Sequence, residues 1–465
     1  MAQPLRTSRP APGLEPSMLV HLRARVPGAA QAGLARLPGT GRRVVTVTVD
    51  EGVRRGVLGA SDSETVASAA RMALSQRLPL VIVLSSAGAD VHEGVPSLDG
   101  WGRAARALSG CSGIVPVVVV AYGLAVSGPA LLMGIADAVV MTPEAVAYVS
   151  GPAAAAQMTG QRLSPEQLGG QRVHARLSGV ASLLAPDGAS ALDAVAALLD
   201  YLPDHTDEEP PAIPCGDPSD RRTEELRDLL PAAATGSYDV RRVVESIADD
   251  AEMLELRAGW APQLVTAFCR VEGRPVGVVA NQPQSMAGTL DIAASQKGAR
   301  FVALCDSFNV ALLTLVDTPG FMPGKDLEWR GMIRHGAQLV FAYAEATVPR
   351  VCLILRKAFG GAYIVMDSKG MGSDVCLAWP SAQVAVMGAQ GAVQILHRRE
   401  DAAAQARLAD EYERRYLNPY VAAERGYVDK VIDPADTRRE VASALRLLST
   451  KRERLGRRKH GNGPL

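Results

Sequence analysis

One set of landmarks occurs twice in this 465-residue chain. Strand-like Leu80–Leu84 and the turn Ser85-Ser-Ala-Gly88 precede a further apolar run, Val115–Val120, then Ser127-Gly-Pro129 and Tyr148-Val-Ser-Gly151. In the second half Leu312–Val316, Asp317-Thr-Pro-Gly320, Val351–Leu355, Gly360-Gly-Ala362 and Val386-Met-Gly388 come in the same order. The offset stays near roughly 230 residues, which is how a duplicated domain shows itself. The repeat restricts the chain to two copies of one fold, and strand–turn–helix units within each half predict α/β layers. The length is also too great for one ordinary core.

Composition narrows the classes. Hydrophobic residues make up 48% and aromatics 4%, with 44 glycines, as suits an α/β protein packed with Ala, Val and Leu. Lys plus Arg (49) equals Asp plus Glu (49), so no global charge draws the chain to nucleic acid or membrane. The six cysteines lie far apart without a C-x-x-C pair, which predicts buried thiols in a reducing compartment and neither a zinc ribbon nor a disulfide framework. Met1 to Met18 is rich in Pro and Arg and lacks an apolar signal core. The apolar stretch Ile114–Val126 holds Pro116 and Gly123 and is too short to span a bilayer. A cytoplasmic protein is expected, with a loose tail over 1–18 and domains over 19–255 and 256–465. The Pro- and acid-rich stretch Asp204–Asp220 reads as a connector, and Arg241–Leu256 as a helix closing the first half. A last helix carrying Arg439, Glu440, Arg446, Lys451, Arg452 and Arg454 reads as a solvated face.

Within the second half, Leu353-Ile-Leu-Arg-Lys-Ala-Phe-Gly-Gly-Ala-Tyr-Ile364 reads as a buried strand reaching a glycine turn that opens a helix. Glycine lets a ligand oxygen approach the main chain, and the first helical amides have no internal partners. Two such amides aimed at one point make an anion or oxyanion site. A tight packing turn has the same sequence, and the residues leave both readings open. The counterpart at Ser127-Gly128 favours function, because one active site shared by two related domains would use both turns.

Other motifs fall away. Leu315-Val-Asp-Thr-Pro-Gly320 has the D-x-x-G form of a GTPase loop, but no phosphate-binding G-x-x-x-x-G-K-[ST] lies upstream. There is no G-x-S-x-G elbow. The seven histidines show no metal-ligand spacing. His92-Glu93 and His335 read more naturally as a surface pair and a hydrogen-bonded structural histidine. Without a side-chain nucleophile or metal, the chemistry falls to main-chain dipoles and a bound cofactor that together stabilise an enolate or similar anion.

The residues also carry a family resemblance. Ala280-Asn-Gln-Pro283, Leu290-Asp-Ile-Ala-Ala-Ser-Gln-Lys297, Asp317-Thr-Pro-Gly-Phe321, Phe341-Ala-Tyr-Ala-Glu-Ala-Thr-Val-Pro349 and Arg356-Lys-Ala-Phe-Gly-Gly-Ala-Tyr363 belong together with Ala385-Val-Met-Gly-Ala-Gln-Gly-Ala392 and Asn418-Pro-Tyr420. This set resembles the carboxyltransferase (β) subunit of biotin-dependent acyl-CoA carboxylases, the propionyl-CoA carboxylase β family. It covers essentially all of 260–465. It runs more thinly over 41–255, at Leu168-Gly-Gly170, His174 and Tyr201-Leu-Pro203. The resemblance implies two tandem crotonase-like domains and a dimer-built homo-oligomer, commonly a trimer of dimers. The first domain would be the acyl-CoA side and the second the biotin side, with the active site where the first half of one chain faces the second half of another. It further implies that Gly361 and Ala362, with Gly360 and Ile364 beside them, meet the ureido oxygen of carboxybiotin. Ser127 and Gly128, with Ala87, Gly88 and Ala89, would meet the thioester oxygen of an acyl-CoA. The chain has no Met-Lys-Met attachment sequence, so biotin would arrive on a partner carrier charged by a biotin carboxylase. A related decarboxylase and a non-catalytic paralogue that co-assembles with an active subunit are the alternatives.

The first half departs from the family pattern. Ser85-Ser-Ala-Gly-Ala-Asp90 puts an acid where the family has Arg, beside a site for a polyanion. Ser127-Gly-Pro129 replaces Gly-Gly-Ala. Ser127 keeps an N–H, and the acyl-side site survives on it if φ there is negative. Ile364 stands where propionyl-type enzymes have Asp. A biotin side left intact and an acyl side reshaped for an unusual acceptor are the expectation.

Overall fold

Val44-Val-Thr-Val-Thr-Val49 is β-branched throughout and Leu80-Val-Ile-Val-Leu84 is apolar on both alternations, as suits strands inside a covered sheet. Both are central strands in the structure, a computed structural model that describes residues 18–19, 28–231, 233, 236–456 and 458–464. The tail expected over 1–18 lies, Met18 apart, outside the described residues.

The chain divides into two compact units, 1–209 and 210–465. The first holds β1 (Met18–Leu19), β2 (Ala30–Arg36), β3 (Arg43–Val49), β4 (Leu80–Ser86), β5 (Val117–Val126), β6 (Ala138–Met141), β7 (Val146–Tyr148) and β8 (Leu183–Leu184). They form one sheet in the order β1-β2-β3-β4-β5-β6-β8, with β7 pairing β5. Pairing is antiparallel up to β3 and parallel beyond it. Helices Ala60–Gln76 and Val95–Ser109 cover one face. Val66, Ala69, Ala104 and Leu108 join Val45, Val47, Ile82 and Leu84, strand residues two apart, in one core.

The second unit repeats this arrangement with β9 (Met253–Leu256), β10 (Leu264–Val271), β11 (Arg274–Asn281), β12 (Ala311–Thr318), β13 (Arg350–Phe359), β14 (Val375–Ala378), β15 (Gln383–Ala385) and β16 (Lys430–Val431). The order is β16-β14-β13-β12-β11-β10-β9, and β15 pairs β13 as β7 pairs β5. The likeness extends to irregularities. The β4–β5 register slips between Leu84 and Ser86, and the β12–β13 register between Val316 and Thr318. Leu58 N–H donates to Gly88 O at 2.8 Å, and Leu290 N–H to Gly320 O at 3.2 Å. The duplication inferred from landmarks is thus present in strand order and in these details.

The division falls at 209/210, inside the connector, and not at 255/256. Tyr238, Val240, Val243, Val244 and Ile247 are buried with Val265, Val278, Leu313 and Leu353, so 210–255 builds the second core. The stretch expected to be one helix over 241–256 is α-helical only over Arg241–Ile247, followed by a 3-10 turn at Asp249–Ala251. It then enters β9, whose Met253–Leu256 pair with Thr266–Cys269 of β10. Nor is the last helix wholly solvated beyond its end: Lys451 donates to Asp374 at 2.9 Å and is largely covered. Five of the six cysteines are buried and none is bridged. Among the described residues, no helix is long and apolar enough to cross a membrane.

Candidate active site

Strand β13 ends at Phe359, and the chain turns at Gly360 into the short helix Gly360–Val365. Gly360 has φ +59°, and a Cβ there would lie 3.1 Å from Val386 O. Both facts call for glycine. Gly361 comes next, exposed, at the edge of a cavity of about 820 Å³ that is also lined by Gly360, Ile364, Val386, Tyr412 and Tyr416. Ile364 is 44% exposed in it. Ala362, the next residue, is buried, and Gly361 borders the opening. The helix start leaves both without an intrahelical acceptor.

The turn stands on a buried ion pair. Asp317 Oδ2 accepts from Arg356 Nε at 3.1 Å and from Tyr238 Oη at 3.0 Å, and Oδ1 accepts from Lys357 N–H at 3.1 Å. Burial raises the Asp317 carboxyl above its usual range, against the pull of Arg356. So the aspartate of the GTPase-like string is the buttress of the glycine strand. Lys297, from another quoted motif, is equally structural: it is buried and donates to the carbonyls of Arg257 and Trp260, both at 2.9 Å.

A second buried pair lies just past the helix. Arg350 Nη1 donates to Asp367 Oδ1 at 3.0 Å, while Asp367 Oδ2 and Arg350 Nε have no partner. Burial lifts Asp367 to about 7, opposed by Arg350. The unfolded carboxyl titrates near ~4, so between about pH 4 and 7 the folded chain holds a proton that the unfolded chain has lost. This contribution to stability is full below the lower value and is lost as pH rises through the upper. Asp367→Asn should flatten that decline in stability–pH curves; an unchanged slope would show that Asp367 is already charged across the window.

The first unit's turn has the same frame with different chemistry. Ser127 comes after β5 with φ +60° and ψ −119°, and helix Gly128–Ile135 begins after it. Its φ matches that of Gly360, so Ser127 occupies the glycine position and carries strain of roughly 1 kcal/mol or more. The condition on which its amide would serve as an oxyanion donor is not met. The Ser127 N–H donates to Tyr148 O of β7 at 3.0 Å, which corrects the assignment of that amide to a ligand. Gly128 is the first free helical amide, and Pro129, at the Ala362 position, has no N–H. Gly88, with φ +108°, lies against this turn, since a Cβ there would be 3.4 Å from Val126 O. The Ala87 N–H is taken by Arg55 O at 3.0 Å and the Gly88 N–H by Ser86 Oγ at 3.2 Å. The Ala87 and Gly88 amides are therefore already engaged within the fold and do not form a free pair.

Asp90 does not present the bare negative charge expected beside a polyanion. It is 6% exposed and accepts from Arg54 Nη1 at 2.7 Å, and Arg54 also reaches Asp62 at 3.1 Å. Glu93 accepts from Ala60 N–H at 2.6 Å, closing the start of helix Ala60–Gln76. Both carboxylates are thus engaged structurally and neither stands ready as a base. His335 bonds Gln296 at 3.1 Å, the structural role expected of it.

The Carboxyl transferase domain family matches residues 31–463. A propionyl-CoA carboxylase beta chain of Saccharopolyspora erythraea is 45% identical over 444 residues, covering 91% of this chain and 81% of that protein. The methylmalonyl-CoA carboxyltransferase 12S subunit of Propionibacterium freudenreichii subsp. shermanii is 43% identical over 431 residues, covering 91% and 82%. Among solved structures, the transcarboxylase 12S hexamer with methylmalonyl-coenzyme A and methylmalonic acid bound superposes with a TM-score of 0.92 at 42% identity, over 94% of this chain and 85% of that one.

Proposed function

The chain belongs to the carboxyl transferase domain family and is a biotin-dependent acyl-CoA carboxyltransferase with two tandem crotonase-like domains, and on that premise we propose that its two glycine turns divide the reaction between them. The second-unit turn, through the Gly361 and Ala362 amides, receives the ureido oxygen of carboxybiotin. The first-unit turn, through the Gly128 amide, receives the thioester oxygen of the acyl-CoA. The observation that carries this reading is the matching positive φ at the two turns, +60° at Ser127 and +59° at Gly360, each at the start of a helix.

The second-unit turn fits a ureido group. Gly361 has no side chain, lines the cavity, and its nearest neighbour in the Cβ direction is Phe321 at 3.7 Å. When bound, carboxybiotin supplies the carboxyl group as CO₂ and, through its freed ureido nitrogen, the base for the α-proton. The Gly361 amide would hold the ureido oxygen of the bound group and stabilise negative charge there without having to reorganise. As the α C–H bond breaks, its electron pair moves to the thioester oxygen, which the Gly128 amide holds. The α-carbon of that enolate then bonds to CO₂, giving the α-carboxyacyl thioester. A preorganised donor of this kind is worth about 3 kcal/mol in the transition state. Ile364, exposed in the cavity, presents an apolar surface to the acyl group.

Biotin arrives on a partner carrier protein charged by a biotin carboxylase, and the chain works as a homo-oligomer, as the hexamer of its transcarboxylase relative supports. The non-catalytic alternative is not favoured by these matches. The purified chain, given a carboxylated biotin carrier and a panel of acetyl-, propionyl- and longer acyl-CoAs, should transfer carboxyl to at least one of them. No transfer in either direction across the panel, with the oligomer intact, would sink the proposal. Ordinary kinetics with propionyl-CoA would remove the case for a reshaped acceptor side.

A further inference from the structure

Against the Ser85–Ala89 segment the first unit makes a left-handed turn, Arg54–Gly56, and the second unit repeats it at Met286–Gly288. Arg54, Arg55 and Gly56 have φ of +48°, +59° and +68°; Met286, Ala287 and Gly288 have +48°, +53° and +75°. Gly56 N–H donates to Val53 O at 2.8 Å, and Gly288 N–H to Ser285 O at 2.9 Å. A Cβ on either glycine would collide with backbone at a strand end, Ser85 O in one unit and Asp317 O in the other. Such a backbone is costly for residues that carry a side chain, and it persists where the surroundings fix it.

The fold builds this turn from Met-Ala as well as from Arg-Arg, so the two arginines answer no demand of the backbone. Arg54 reaches the buried Asp90 at 2.7 Å and the buried Asp62 at 3.1 Å. Arg55 is exposed, and among the described residues its guanidinium has no hydrogen bond or ion pair. Its backbone is nevertheless fixed. Arg55 O accepts from Ala87 N–H at 3.0 Å, and Gly56 O from Ser86 Oγ at 2.6 Å. Its charge also reaches the Tyr148 phenol, which burial raises and Arg55 pulls back down. Tyr148 is the residue whose carbonyl takes the Ser127 N–H. An unpaired guanidinium is thus anchored next to Ala87, within electrostatic reach of the strand that closes the Ser127 turn.

We propose that Arg55 binds a phosphate on the pantetheine arm of the acyl substrate and so selects phosphate-bearing acyl thioesters. This rests on the reading of the first unit as the acyl-thioester side. The unit read as receiving the uncharged ureido group has Met286 and Ala287 at the same turn. A guanidinium meets phosphate oxygens with paired N–H donors, and an exposed one is reached without rearrangement. Arg55 also supplies the positive charge that Asp90 cannot. Two sources present such a phosphate: the pyrophosphate of coenzyme A, and the phosphodiester that joins pantetheine to a carrier protein.

Full-length wild type and R55A are compared on one acyl group carried by coenzyme A, by phosphopantetheine on a carrier protein, and by pantetheine alone. R55A should fold, since Ala287 holds the same conformation in the second unit. The ratio of kcat/KM for a phosphate-bearing thioester to that for the pantetheine thioester should fall about tenfold in R55A, mostly through KM. A ratio taken within one enzyme cancels any general loss of fold or turnover. The wild-type ratio should also decline with added salt more steeply than that of R55A. A fall for coenzyme A assigns the pyrophosphate, and a fall for the carrier protein assigns the phosphodiester; either one, or both, upholds the inference. Ratios within about twofold of wild type for both would overturn it and leave Arg55 a solvated side chain. A wild type that transfers no carboxyl to any of these thioesters would instead remove the reading on which it rests.

Discussion

Gly361→Val should abolish carboxyl transfer while leaving the fold and the oligomer in place. The backbone at 361 is not among the positive-φ positions, and a Cβ there meets nothing closer than Phe321 at 3.7 Å, so the substitution meets no steric or conformational obstacle. The helix-propensity cost of Val is under about 1 kcal/mol, and a start-of-helix position softens it. The γ-methyls, however, extend from an exposed residue that lines the cavity and hold off any oxygen that would bind at this turn. Losing one oxyanion donor costs about 10²–10³-fold in kcat, and steric exclusion of the ligand adds to it. The measurement is carrier-dependent transfer alongside thermal unfolding and sedimentation. Transfer within a few-fold of wild type would show that Gly361 is a packing glycine after all.

The second large effect concerns stability. Asp317→Ala removes the acceptor of three donors at once: Arg356 Nε, the Tyr238 hydroxyl and the Lys357 amide. Arg356 keeps its bond to Gly236 O at 2.8 Å, but its charge is left buried without a counterion. Breaking such a pair from one side typically costs roughly 3–5 kcal/mol. A chain of two units does not suit a single two-state transition, so the loss is best read locally, as hydrogen exchange of the β12 and β13 amides. Exchange there should accelerate by roughly 10²–10³-fold, the range that such a free-energy loss gives where exchange tracks global opening of the unit. Unaltered protection would mean that the pair contributes no net stability.

The legible parts of this chain are those written in residue type. Gly360-Gly361 announces its turn because only glycine suits φ +59° against Val386 O. The duplication is legible because strands covered on both faces are apolar runs that recur in order. Ser127 is not legible in the same way, since a serine states nothing about its φ. The loss of its amide depends on β7, a three-residue strand too short to carry a pattern. The charge of Asp90 is misleading in the sequence because its partner, Arg54, lies 36 residues away and is brought to it by folding. The domain boundary differs for a similar reason. Residues 241–256 read as the close of the first unit, and only the burial of Val243, Val244 and Ile247 against Val265, Leu313 and Leu353 assigns this stretch to the second.

The matching register slips, Leu84/Ser86 before one turn and Val316/Thr318 before the other, have a use beyond architecture. Two copies of a site usually drift in backbone as well as in side chain, and the causes of a functional difference then cannot be separated. Here the backbone path into each turn is held constant by the same irregular step. The two copies therefore invite exchange of residues between Ser127-Gly-Pro129 and Gly360-Gly-Ala362, with the approach from the sheet alike in both.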